Sequence, residues 1–485
     1  MLLGTLNKDV KGISYNSNKI KKDYLFIAIK GEKNDGHSFV NSAVEMGANA
    51  VVLDRDPGYE ISGVSVIKVK NTREALSEIS ANFYNNPTKD ICLVGITGTN
   101  GKTTVTYIIE KIWNEESKNV GVIGTVNYRI KNKVFNSNMT TPESLELMDI
   151  LSSMKSEGVD NVVMEVSSHA IDQSRVSSCQ FDAVVFTNLT QDHLDYHSSI
   201  EEYMNTKKNL FTGILKKSSK KKKYSVINID DPYGAQIAEE ATGELITYSI
   251  KNKNASVKAE SYDISRNGIS ALINTPEGNF EVKSKLLGEH NLSNILAAIA
   301  TTISLGTPLN LIKNGVNNAV SIPGRLEEVD NSLDIKTLID YAHTPDALHN
   351  VVLTVKKITD NKVILLFGCG GDRDKLKRPL MGKIGGDLAD TLIVTSDNPR
   401  TENPEDIIKD IEDGVLTSTI DKENYFKITD RRKAIKFAIN IASRGDTVLI
   451  AGKGHEDYQI VGNQTVYFDD KSEAAEALRE KLNYT

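Results

Sequence analysis

The sequence predicts an α/β protein of three domains, two of them built on parallel sheets. Three observations carry this reading. The chain has 485 residues, more than the roughly 250 to 300 at which a single core stops growing. From Ile91 onward, short apolar β-rich runs are each followed by a turn and then by helical periodicity, the pattern of parallel strands covered by helices. The runs fall into two series, with Pro and Gly between them in SIPGRLE (321–327).

Residues 1–88 come first. LFIAI (25–29) and NAVVL (49–53) read as strands, with the helical stretch SFVNSAVEMGA between them, so this is a small α/β unit of its own. NNPTKD (85–90) combines turn formers with charge and sets a boundary near 88. The first long series holds ICLVGI (91–96), NVVMEV (161–166), DAVVFTN (182–188) and YSVINID (224–230), spanning 89–324. The second holds KVILLFG (362–368), TLIVTSD (391–397) and TVLIAG (447–452), spanning 325–485. Such continuous apolar runs are how strands buried on both faces read. The lysine run KKSSKKKK (216–223), between a helix and a strand, is expected to be a solvated loop.

Composition narrows the function. The 58 basic and 65 acidic residues leave a net charge of −7, which argues against whole-protein affinity for nucleic acid or acidic membranes. Cys92, Cys179 and Cys369 are far apart in sequence and show neither a disulfide framework nor zinc spacing. The start lacks the apolar stretch of a signal peptide and no apolar run approaches about 18 residues, so a cytoplasmic location is expected.

GITGTNGKTTV (95–105) carries the strongest chemical signal. It follows a strand and opens a helix whose apolar residues Val105, Ile108, Ile109, Ile112 and Trp113 fall at helical spacing. Glycines let backbone N–H groups close on phosphate oxygens, the helix N-terminus adds positive potential, Lys102 neutralises phosphate charge and the Thr103 hydroxyl can reach magnesium. The common phosphate loop has its first glycine where Ile96 stands here, which disfavours an ordinary GTPase or motor. The middle sheet is therefore expected to be of the P-loop ATPase type and the last one Rossmann-like.

In open parallel sheets ligands bind beyond the carboxyl ends of the strands. Glu165 ends one strand; Asp192, His193, Asp195 and His197 follow the next; Asp230 and Asp231 end a third. Singly, each has an ordinary reading as a helix cap or packed histidine. Beside a phosphate loop they suggest oxygen-rich magnesium coordination, with His193 an unusual addition.

At GTNGKTT (98–104), MEVSSHAIDQSRV (164–176), TNLTQDHLDYH (187–197), GEHNLSNILAA (288–298), PGRLE (323–327) and DYAHTPDAL (340–348) the chain resembles the Mur ligases over nearly its whole length. The resemblance implies an ATP-dependent ligase of peptidoglycan synthesis: ATP phosphorylates a substrate carboxylate, an amine attacks the acyl phosphate, and ADP and phosphate leave. It implies that Gly98, Thr99, Asn100, Gly101, Lys102, Thr103 and Thr104 hold the triphosphate. Thr103, Glu165 and His193 would surround Mg2+. Asn291 would contact the adenine side, Arg325 and Asp340 the nucleotide, and His343 its phosphate end. Lys207 matches a family lysine that carbon dioxide converts to a carbamate able to coordinate magnesium; taken alone it reads as a helix-surface lysine. With Glu165, His193 and Lys102 it completes the implied catalytic set.

For the acceptor UDP-N-acetylmuramoyl-L-alanyl-D-glutamate the resemblance points to Ser17, Thr140, Thr141, Ser167, Gln173 and Arg175. TTPES (140–144) and Ser167 have equally good readings as helix caps. The N-terminal family motif reads Asp-Ser-Arg, whereas Asn16, Ser17 and Asn18 stand here, without either charge. Past the strands of the second series lie Arg373, Asp397, Asn398, Pro399, Arg400, Gly452 and Glu456, expected to line one crevice. Arg373 and Arg400 can each grip a carboxylate and Glu456 can accept from an ammonium group. Asp-Asn-Pro-Arg is the family pattern tied to meso-diaminopimelate, which makes that amino acid the expected substrate. A lysine-adding ligase is the near alternative; a folylpolyglutamate synthetase-like enzyme and a non-enzymatic nucleotide switch are more distant ones. A monomer is expected.

Overall fold

The computed structural model describes the chain except residues 1, 4–8, 32, 33, 57, 60, 62, 132, 138, 193–195, 320 and 485. Three sheets follow one another along the sequence.

The first is five-stranded, in spatial order Leu2–Leu3, Ser65–Lys68, Ala48–Leu53, Tyr24–Ile27 and Gly12–Ser14, parallel except at its Leu2–Leu3 edge. The expected helix between its strands begins as a 3-10 turn, Gly36–Phe39, capped by Asp35, before continuing as Val40–Glu45. A cap that satisfies the His37 N–H favours the tighter turn there.

The second sheet has eleven strands. Cys92–Thr97 lies inside it, flanked by the parallel strands Asn161–Glu165 and Ala183–Phe186. Antiparallel additions close both edges: Asn127–Ile130 with Lys133–Asn136 on one side, and Gly268–Thr275 with Gly278–Ser284 on the other. Gly268–Thr275 and Gly278–Ser284 alternate between buried and more exposed residues, and Lys133–Asn136 is largely exposed, unlike the wholly buried parallel strands Asn161–Glu165 and Ala183–Phe186. The Lys102–Glu115 helix packs on one face through Val105, Ile108, Ile109, Ile112 and Trp113, all fully buried.

The third sheet is six-stranded, in order Glu327–Glu328, Lys336–Asp340, Thr447–Ala451, Val363–Phe367, Thr391–Val394 and Tyr425–Lys427, parallel apart from its first strand. A separate hairpin, Tyr458–Val461 with Gln464–Tyr467, stands beside it. The lysine run is the expected loop between the Leu215–Lys217 helical turn and the Tyr224–Asn228 strand. Lys220 departs from the rest: it is largely buried, pairs with Asp182 at 2.9 Å and donates to the Ile91 carbonyl at 2.6 Å.

Candidate functional site

The Cys92–Thr97 strand hands the chain to the loop 98–101 and thence to the Lys102–Glu115 helix. Gly98 and Gly101 have φ of 147° and 88°, where side-chain-bearing residues are strained, and a Cβ on either would collide with Thr187 or Asn294. The loop is held by neighbouring strand ends: Thr99 N donates to the Asn188 carbonyl at 2.8 Å and Asn100 N to Asn188 Oδ1 at 2.9 Å. Lys102 folds back, its Nζ donating to the carbonyls of Gly98 at 2.9 Å and Thr99 at 2.8 Å. Burial lowers its pKa against the opposing pull of Glu165 and Asp192.

Thr103 Oγ1, in the helix's first turn, donates to Glu165 Oε1 at 3.0 Å. The same carboxylate accepts from the backbone N–H of Thr125 at 2.9 Å and from its hydroxyl at 3.0 Å. Sequence reasoning missed Thr125; its signal was its place just after the apolar strand Val120–Ile123. These groups and Thr104 share a cavity of about 440 Å³ with Asn291, Arg325, Asp340 and His343. That is within the size range of small-molecule sites, roughly 300 to 1,000 Å³. The cavity lies between the second and third sheets, and Asn100 reaches across it to Asp346 at 3.5 Å.

Opposite the loop, Asp340 ends its strand and accepts from the N–H groups of Leu326 and Ala342 at 2.8 and 2.9 Å, while burial raises its pKa. His343 Nδ1 meets the Tyr341 carbonyl at 2.8 Å. Donation there leaves Nε2 without a proton whenever the ring is neutral, the form that burial and Lys377 favour. The Arg325 guanidinium lies over the Tyr341 ring, 4.7 Å from its centroid. Asn291, in the first turn of the Glu289–Ser304 helix that backs the cavity, donates to the Leu287 carbonyl just before that helix and accepts from Asn294.

Lys207 corrects an expectation. Its position looked like helix surface, yet it is fully buried, because the Ile200–Asn209 helix presses that face against the phosphate loop. Its Nζ donates to the Gly98 carbonyl at 3.1 Å, the acceptor that Lys102 also uses. Desolvation and then the Lys102 charge push its pKa well below the usual lysine range.

The residues expected to contact the acceptor also gather. Thr141 Oγ1 donates to the Glu165 carbonyl at 2.9 Å and accepts from Ser167 N at 3.1 Å; Thr140 meets Thr125 at 3.0 Å. Ser167 does cap its helix, accepting from Ala170 N at 3.2 Å. Arg175 donates to Gln173 Oε1 at 2.6 Å and to the Thr141 carbonyl at 3.0 Å, and lies near Glu143. Glu143 also pairs with Arg73 at 3.2 Å, tying the helix after the first sheet to this cluster. Ser17 is buried in a 3-10 turn capped by Asn16, and Tyr15 links that segment to Glu146 at 2.8 Å.

Beyond the third sheet, the Asn398 amide donates to Glu456 Oε2 at 2.8 Å, and Arg400 donates to the Gly371 carbonyl at 2.8 Å. Asp397 is buried, accepts from Asn398 N at 2.7 Å and passes close to Gly452. Pro399 is buried; its carbonyl accepts from Glu402 N. Arg373 is not drawn into this group: it is exposed at the rim and donates to the Asp372 carbonyl.

Other candidates take their ordinary readings. Asp231 caps the Pro232–Glu240 helix, Asp230 anchors Ser249 and Ile250, and His197 is buried against Ser168 at 3.0 Å. His193 and Asp195 lie outside the described residues. Among the described residues no three His, Cys, Asp or Glu side chains converge to cage a metal.

Three family models match this chain: "Mur ligase family, catalytic domain" at 9–84, "Mur ligase middle domain" at 96–302, and "Mur ligase, glutamate ligase domain" at 324–454. It is 46% identical to the UDP-N-acetylmuramoyl-L-alanyl-D-glutamate–2,6-diaminopimelate ligase of Caldanaerobacter subterraneus subsp. tengcongensis, across 98% of this chain and 96% of that one. A solved structure of a ligase with the same name superposes with a TM-score of 0.71 at 33% identity, covering 98% of this chain and 95% of that one. The MurF ligase of Thermotoga maritima, solved in complex with ADP, shares the fold at a TM-score of 0.64 and 17% identity, with 98% of each chain covered.

Proposed function

The chain belongs to the Mur ligase family, and from that premise we propose that it joins the amine of meso-diaminopimelate to the D-glutamyl carboxylate of UDP-N-acetylmuramoyl-L-alanyl-D-glutamate at the expense of ATP. The observation that carries the reading is the single cavity in which the phosphate loop and Glu165 face Asp340, His343 and Arg325, with the Asn398–Glu456 pair beyond the same sheet.

A carboxylate is a poor electrophile, so the reaction has two steps. An oxygen of the glutamyl carboxylate attacks the γ-phosphorus, the bond to ADP breaks, and an acyl phosphate forms. The amine nitrogen then attacks the acyl carbon, loses a proton, and phosphate leaves. The N–H groups at the start of the Lys102–Glu115 helix and the Lys102 side chain are placed for the charge that spreads over the transferring phosphoryl group, where such donors act most strongly. The residues present fit Mg2+: Thr103 Oγ1 and Glu165 Oε1 are hard oxygens only 3.0 Å apart at the cavity wall. Magnesium is commonly held by one or two carboxylates together with substrate phosphates, so a full protein cage is not needed. When bound, it supplies charge neutralisation to the phosphates.

Lys207 is read as a carbamate. The support is its burial, its low basicity and its sharing of one carbonyl acceptor with the Lys102 ammonium. A neutral amine can attack carbon dioxide, and losing a proton on doing so turns a repelled cation into an anion. Thr140, Thr141, Ser167, Gln173, Arg175 and Ser17 are read as the acceptor's contacts, and Arg400, Asn398 and Glu456 as those of the amino acid, with Arg373 at its entrance. The domain boundaries are set near 88 and 324, supported by the sheets closing on either side. No helix among the described residues is long and apolar enough to cross a membrane. The enzyme is read as a cytoplasmic monomer, in keeping with its use of ATP. The test is release of ADP and phosphate that depends on both the UDP-muramoyl dipeptide and meso-diaminopimelate; AMP and pyrophosphate as products would overturn the mechanism.

A further inference from the structure

The loop after the Thr447–Ala451 strand carries a lysine for which the proposed reaction has no role. Lys453 is completely buried, a costly place for an ammonium unless it is paired. Its Nζ donates to Glu456 Oε2 at 3.2 Å and to Asn398 Oδ1 at 3.3 Å, and it sits 5.4 Å from the centre of the Tyr458 ring. Asn398 Oδ1 also accepts from Ile460 N at 3.0 Å. Two donors on one side of the amide fix its orientation, so its NH2 must face Glu456, to which it donates at 2.8 Å. Resting on the reading of this crevice as the amino-acid site, we infer that Lys453 is a positioning residue: it holds the Glu456 carboxylate and the Asn398 amide in the arrangement that receives the ammonium group of the incoming amino acid.

The charges around Glu456 give the role its consequence. Burial raises the Glu456 pKa, Asp397 adds to the rise, and Lys453 is the main opposing charge. The remaining groups that face it are Tyr341 beyond the Lys336–Asp340 strand, Tyr458 on the hairpin, and Arg431 on the helix behind. Arg431 is already paired with Asp470 through two contacts of 2.7 Å. Without Lys453, Glu456 loses the main charge that favours its ionised form and takes up a proton more readily, offering a donor where the substrate's ammonium needs an acceptor.

The experiment uses the whole enzyme as Lys453→Met, Glu456→Gln and the double variant, with unfolding midpoints measured for each and Lys453→Gln as the milder substitution. Lys453→Met should raise KM for meso-diaminopimelate about tenfold or more near pH 7, relative to the parent, and leave KM for ATP and for the dipeptide within about twofold. The ratio to the parent should shrink as pH rises and Glu456 ionises unaided. Glu456→Gln should show a similar rise with no such recovery, and the double variant should be no worse than Glu456→Gln. An unchanged KM, a rise independent of pH, or additive losses in the double variant overturns the role of Lys453. A parent enzyme that does not use meso-diaminopimelate at all overturns the underlying reading instead.

Discussion

At the phosphate end, the decisive contacts arise within one stretch, 95–105, whose glycines and helix start need only two neighbouring strand ends to brace them. At the amino-acid end, they come from three separate strand ends and a hairpin, brought together by side chains. Arg378, fully buried, bonds Glu402, Asp410 and the Gly370 carbonyl, and so joins the loop bearing Arg373 to the loop bearing Arg400. Arg431 braces the Ser396 and Ala451 carbonyls from behind while paired with Asp470. On the proposed reading, local backbone geometry suffices for the phosphate site, whereas the amino-acid site depends on a network that can fail at any of several buried charges.

That contrast can be broken first at the network. Asp470→Ala strands the buried Arg431 charge, and losing one partner of such a pair costs about 3 to 5 kcal/mol of stability. Chemical unfolding should show that loss; a change below about 1 kcal/mol would mean the brace is dispensable.

At the phosphate end, Lys102→Ala should leave the fold intact and cost about 2.7 to 4 kcal/mol of transition-state stabilisation, the range for removing a preorganised donor at a site of developing charge. Steady-state kcat/KM measures it, and near-normal turnover would remove Lys102 from the chemistry. Lys207→Ala should also lose activity, and short carboxylic acids added to the assay should restore part of it by occupying the vacated anion position. Full activity without them would end the carbamate reading.

A smaller effect sharpens the comparison through pH. Hydrogen bonding from Arg378 lowers the Glu402 pKa from 4.5 to about 2. A carboxyl group whose pKa is lower in the folded state contributes stability that is present above 4.5 and is lost as pH falls through about 2. Glu402→Gln should therefore be less stable than the parent at neutral pH, and the gap should narrow across that acidic window in thermal unfolding. A gap that stays constant would show that Glu402 contributes packing alone.

The same contrast explains what could be read in the sequence. The parallel strands, the phosphate loop and Glu165 were legible because each is set by nearest neighbours: an apolar run, a glycine pair, a strand end. The edge strands Asn127–Ile130, Lys133–Asn136, Gly268–Thr275 and Gly278–Ser284 were not, since partly exposed strands lack a continuous apolar signature. Lys207 could not be recognised as buried because its helix is mostly polar, and only the approach of the phosphate loop encloses it. Lys453 was invisible as a site residue for a related reason: a lysine between two glycines reads as a surface turn until Asn398 and Glu456 meet it from other segments.

The central claim is that this crevice selects an amino acid with a distal carboxylate, which Arg400 pairs. The most direct measurement is kcat/KM for meso-diaminopimelate and for L-lysine in the unmutated enzyme, followed by the same pair in Arg400→Ala. Arg400 is half-buried, and a hydrogen bond to a charged group contributes about 1.5 to 3 kcal/mol, so the parent should prefer meso-diaminopimelate by about one to two orders of magnitude, and the variant should lose most of that preference with KM for ATP little changed. Comparable kcat/KM values for the two amino acids in the parent would contradict the account.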